Sequence, residues 1–147
     1  MCAIADQRLV SIRGIYQQAI IGGSNMEKQT VVVLGASNKP ERFANMAIKK
    51  LIQHGHTVIP VHPRLTEIDG VPVVHELGQI KDSVDTLTLY VGPQRIQPLI
   101  DDIVALAPKR VIFNPGTESA ALEKHLTEND IAFVRACTLV MLDSNDF

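Results

Sequence analysis

Residues 30–61 read TVVVLGASNKPERFANMAIKKLIQHGHTVIPV, and the apolar pattern changes twice within them. Thr30 to Leu34 is a short unbroken, largely β-branched run ended by Gly35, as expected of a strand covered on both faces. Pro40 suits the first turn of a helix, and Ala44, Ala47, Ile48, Leu51 and Ile52 then recur at helical spacing until Gly55 supplies a stop. Thr57 to Val61 is a second strand. Two strands joined by a helix form a crossover unit, so they are predicted to lie parallel.

The alternation continues outward from this unit. VPVV at 71–74 predicts a short third strand after the Asp69-Gly70 turn, and Thr86 to Val91 predicts a fourth, closed by Gly92-Pro93. Ile96, Leu99, Ile100, Ile103, Val104 and Ala107 make the next helical stripe, in which Pro98 is tolerable only in the first turn. RVIFN is a fifth strand, Glu118 to Asn129 a further helix, and IAFV a sixth strand. The predicted fold is α/β: a doubly wound, Rossmann-like parallel sheet in three layers, α/β/α. Such sheets bind ligands beyond the carboxyl ends of their strands, where strand order reverses.

The chain's 147 residues, 46% of them hydrophobic, suffice for one domain with its own core. Residues 1–25 scatter their isoleucines among polar residues and end in Gly22-Gly23-Ser24-Asn25, which predicts an appended segment, either disordered or a short docked helix. Residues 26–147 then form the single domain. A net charge of −2 argues against bulk attachment to nucleic acid or an anionic membrane. Cys2 and Cys137 form no metal-ligand or redox spacing, which fits a reducing, cytoplasmic setting.

Chemistry is sought in the loops after the strands. Gly35-Ala36-Ser37-Asn38-Lys39-Pro40 joins the first strand to the first helix, where free backbone N–H groups and the helix dipole favour a phosphate. Lys39 and Arg42 add charge. Only the first glycine of G-x-G-x-x-G is present, so this is not the usual NAD loop. After the second strand, a NAD-binding domain wants an acidic residue for the ribose hydroxyls; this chain has His62, Pro63 and Arg64. Basic donors there suit a phosphorylated ribose, which occurs in NADP and in coenzyme A (CoA).

The succession VVVLGASNKPERFANMAIKKLIQHGHTVIPVHPR, then VDTLTLYVGP, then NPGTES resembles the family of small CoA-binding domain proteins, similar to the N-terminal domain of the succinyl-CoA synthetase alpha subunit. The resemblance runs from about Lys28 to Arg135. It implies that Gly35, Ala36 and Ser37 lie against the cofactor's phosphates with Lys39 and Arg42 nearby. His62, Pro63 and Arg64 would face the 3′-phosphate end, Val91, Gly92 and Pro93 the adenine or pantetheine path, and Asn114 and Gly116 the far side of the pocket. Asn114-Pro115-Gly116-Thr117 departs from the family, where an aromatic residue and Gln precede the glycine. The synthetase's phosphohistidine-bearing ligase domain has no counterpart in this sequence, so none of its catalytic residues carries over.

No catalytic constellation and no metal-ligand spacing emerges from the histidines. His75 and Glu76, adjacent on an extended segment, are expected to face opposite ways, and Asp101 and Asp102 to be solvated. Cys137 follows the last strand, as a buried thiol or as a partner for a cofactor thiol. The leading expectation is a module that binds CoA or a short acyl-CoA without catalysis of its own, acting as carrier, sensor or subunit, as a homodimer or beside a catalytic partner protein. Two alternatives stand: a minimal NADP-dependent oxidoreductase, and a cofactor-free protein interaction domain.

Overall fold

The computed structural model describes residues 27–147. The expected appended segment at 1–25 lies outside them. Five strands form one wholly parallel sheet: β1 (Thr30–Leu34), β2 (Thr57–Val61), β5 (Thr86–Leu89), β6 (Arg110–Phe113) and β7 (Ala132–Arg135), in spatial order β2-β1-β5-β6-β7. The chain leaves β1 toward β2 and then returns across β1 to β5. Strand order therefore reverses between β1 and β5.

Alternation along β1 divides the core into two layers. Val31 and Val33 pack with Ala44, Ile48 and Leu51 of α1 (Phe43–Gln53) and Leu142 of α5 (Thr138–Asp143). Val32 and Leu34 face the other way, toward Ile96 of α2 (Pro93–Ile96), Ile100 and Ile103 of α3 (Ile100–Leu106), and Leu122 and Leu126 of α4 (Ala120–Glu128). The doubly wound, three-layer prediction holds. Helix α1 ends as its glycine requires: Gly55 sits at φ +87°, Gly55 N–H donates to the Ile52 carbonyl (2.9 Å) and His56 N–H to the Leu51 carbonyl (3.0 Å).

Three local expectations need correction, and one helix was not expected at all. Pro40 precedes α1, inside a turn closed by the Arg42 N–H donating to the Lys39 carbonyl (3.0 Å); proline's fixed φ serves the turn, and the helix starts at Phe43. VPVV does not join the parallel sheet. Val71–Pro72 (β4) pairs antiparallel with Glu67–Ile68 (β3) in a small hairpin, and Val74 alone bridges to Val61. The stripe from Ile96 to Ala107 is broken, because Pro98 sits in a 3-10 turn, Gln97–Leu99, between α2 and α3. Helix α5 had no sequence signal: at six residues it is too short to show a period.

Candidate functional site

Beyond the carboxyl ends of β1, β2 and β5, at the reversal of strand order, lies a cavity of about 500 Å3. That volume is within the range of small-molecule sites. Leu34, Val61, Leu77, Val91 and Leu99 give it apolar surface, while Lys39, Arg42 and Arg95 bring positive charge and Glu76 and Asp102 negative charge.

The β1–α1 loop forms one wall. Gly35 has φ +89°, and a Cβ there would come within 2.6 Å of Val91 Cγ1 and 2.8 Å of the Tyr90 carbonyl oxygen. Glycine thus lets this loop lie directly against the β5–α2 loop. The expected supply of free amides is narrower than the sequence suggested. Gly35 and Ala36 N–H both donate to the Val61 carbonyl (3.3 and 3.1 Å), and Lys39 N–H donates to Ser37 Oγ (3.1 Å). Among the described residues, the amides of Ser37 and Asn38 make no hydrogen bond. The loop is tied down from behind by fully buried Asn45, whose Nδ2 donates to the Ser37 carbonyl (2.9 Å) and to Asp69 Oδ2 (3.2 Å).

A second wall, beside the first, begins at His62. Its Nδ1 accepts the N–H groups of Arg64 and Leu65, both at 3.0 Å. Burial, then the neighbouring charges of Arg64, Arg95 and His75, hold its pKa below the ordinary histidine value. On the β5 side Tyr90 lines the cavity. Its hydroxyl is buried without a hydrogen-bond partner; it lies beside Thr88 and Thr138, which bond each other (2.8 Å), and burial pushes the phenol up to about 12.

Of the sequence-predicted site residues, Gly35, Ala36, Ser37, Lys39, Arg42, His62, Pro63 and Val91 line this one cavity. Arg64, Gly92, Pro93, Asn114 and Gly116 are not in its wall. Gly92 and Pro93 are the N-cap and first residue of α2, where a missing N–H costs nothing. Asn114, 3% exposed, is used internally: Nδ2 donates to Thr88 Oγ1 (2.7 Å) and the Leu89 carbonyl (2.8 Å), and Oδ1 accepts Thr138 N–H (2.8 Å). Gly116 makes the next turn at φ +91°. Cys137, partly buried, is the N-cap of α5 and is not in the wall.

Sequence reasoning passed over Tyr90, His75, Glu76, Leu99 and Asp102 as site residues, and reached Arg95 only as the end of the loop that follows the fourth predicted strand. Arg95, Leu99 and Asp102 fall on three successive elements, α2, the 3-10 turn at Pro98 and α3, so no single helical stripe marks them in the sequence. His75 and Glu76, expected to face apart, both line the cavity because the chain turns there: Glu76 caps the 3-10 turn Leu77–Gln79.

Residues 29–143 match the model of a family described as CoA binding domain. A crystal structure of an uncharacterized protein superposes with a TM-score of 0.79 at 43% identity, covering 83% of this chain and 100% of that one. The uncharacterized protein YneT of Bacillus subtilis is 26% identical over 74 residues, 50% of this chain and 55% of its own length. Trans-feruloyl-CoA synthase FCS1, from an unknown prokaryotic organism, is 24% identical over 118 residues, 76% of this chain but 16% of that one. The match thus spans about half of one curated relative and about a sixth of the other. The family match leaves the NADP alternative without support.

Proposed function

The chain belongs to the CoA binding domain family, and on that premise we propose that it holds CoA or a short acyl-CoA in the cavity between the ends of β1 and β5, without catalysis of its own. The supporting observation is the convergence on one cavity of two loops and helix α2 that offer mainly donors. Ser37 and Asn38 amides and the Lys39 and Arg42 cations come from one side, and His62 and Arg95 from the others. Phosphate oxygens want this set. The apolar surface from Leu34, Val61, Leu77 and Leu99 suits a long, weakly polar arm beside the phosphates.

Bound CoA supplies a thiol that carries an acyl group as a thioester. The chain's part is to seat it. Ser37, the hydroxyl nearest the expected phosphates, already accepts the Lys39 N–H, a role for a loop anchor and not for an activated nucleophile. Any chemistry on the acyl group then falls to a second protein or a further chain, and the carrier works in the cytoplasm. Among the described residues no helix is long and apolar enough to cross a membrane.

Thermal shift with CoA, acetyl-CoA, NAD, NADP and ATP tests the reading, since a ligand that binds only the native state raises its stability by mass action. CoA should raise the melting temperature, and Ser37→Ala with Arg42→Ala should remove most of that rise. A response to NADP alone, or to none of the five, would overturn the proposal.

A further inference from the structure

We infer that His62 meets its ligand as a neutral, tautomer-locked donor through Nε2–H, so that this end of the cavity selects an anionic oxygen acceptor by hydrogen bonding and not by histidine charge. The identity of the ligand as CoA rests on the reading above; the tautomer rests on the loop geometry alone.

The geometry is specific to this histidine. Nδ1 accepts two backbone N–H groups of its own loop, from Arg64 and Leu65, each at 3.0 Å. A ring nitrogen that accepts carries a lone pair, so the proton of the neutral ring sits on Nε2. Protonating Nδ1 would set an N–H against two N–H donors and leave both amides without their acceptor. Nε2 is then the ring's one nitrogen available to a ligand, and it can only donate.

The surroundings act in the same direction. Arg64 on the same loop, Arg95 on α2 and His75 before the 3-10 turn all disfavour a positive ring, after the larger effect of burial. Lys39 and Arg42 add further positive charge to the same cavity, while the carboxylates of Glu76 and Asp102 in its wall pull the other way. Ser37 shows the same device on the β1–α1 loop: its Oγ accepts Lys39 N–H, and its O–H proton remains to offer. Both loops spend the acceptor side of a wall residue on their own backbone. What they present is hydrogen, which suits a phosphate oxygen and refuses a ligand group that can only donate.

The test is long-range 1H–15N NMR on the histidine-labelled full chain, free and with CoA. At pH 6.5, where an ordinary histidine is half protonated, His62 should be mostly the Nε2–H tautomer in the free protein and remain so in the complex, with CoA moving Nε2 more than Nδ1. In parallel, calorimetry should give His62→Gln, a neutral donor, CoA affinity within about threefold of the parent, whereas His62→Ala loses roughly tenfold. An Nδ1–H tautomer, or a doubly protonated ring in the complex, would overturn the inference. So would a His62→Lys variant that binds more tightly than the parent while His62→Gln behaves as His62→Ala. A parent protein that does not bind CoA overturns the proposed function and the ligand half of this inference, while the free-protein spectrum still decides the tautomer.

Discussion

Gly35 and Asn114, each just past the end of a strand, were legible in position but not in what they touch. Gly35 was read from sequence as a turn and phosphate contact, and the structure adds that its missing side chain is what lets two loops touch. Gly35→Ala would place Cβ against the Tyr90 carbonyl at an unfavourable positive φ. It should cost about 1–3 kcal/mol in urea unfolding and abolish the CoA thermal shift. The family resemblance implied Asn114 as a cofactor contact, and a strand-end asparagine has the same chemistry whether it bonds a ligand or its own chain. Here its partners, Thr88 and Thr138, are 26 and 24 residues away, so no local pattern could announce them. Asn114→Ala strands the buried Thr138 N–H and should cost about 3 kcal/mol in chemical unfolding, with CoA affinity of the folded fraction unchanged. A variant of full stability with weakened CoA binding would return Asn114 to the site.

At the scale of elements, β1 and β6 announced themselves through short apolar runs, because both faces of these inner strands are buried, whereas β7 at the sheet edge is exposed along its length. Helix α1 did so through its apolar stripe and Gly55. The β3–β4 hairpin was misread because a two-residue strand carries no period, and α5 was missed because it is placed by packing: Thr138 and Leu142 are buried and Lys50 of α1 pairs with Asp143. The end of the sheet away from the cavity holds a titration of its own. His56, 5% exposed, accepts Gln29 N–H at Nδ1 (3.0 Å) and lies 5.1 Å from the Phe147 ring. Burial, then His54 and Arg110, lower its pKa against the opposing pull of Asp85. The unfolded chain therefore binds this proton at a higher pH than the folded one, and stability should fall as pH drops below the ordinary histidine value of about 6.5. Thermal melts across that window should show a steeper loss for the parent than for His56→Gln; parallel curves would remove His56 from the account.

For the molecule as a whole, a chain of net charge −2 gathers Lys39, Arg42 and Arg95 around one cavity, so attraction of an anionic cofactor is local. Lys39→Ala and Arg42→Ala should each weaken CoA about three- to tenfold at low ionic strength, and less at high salt, measured by calorimetry. The same cations on a site that does not bind phosphate would leave CoA affinity insensitive to both changes. Fold and cavity position were readable because a doubly wound sheet dictates where its strand order reverses; the far wall was not, since it is assembled from Arg95, Leu99 and Asp102 across a proline-broken helix. The central claim is that this cavity seats CoA, and a crystal structure of the full chain grown with saturating CoA tests it most directly. The account predicts cofactor phosphates within hydrogen-bonding distance of the Ser37 and Asn38 amides and of His62 Nε2. CoA bound on another face, or crystals free of cofactor at saturation, would contradict it.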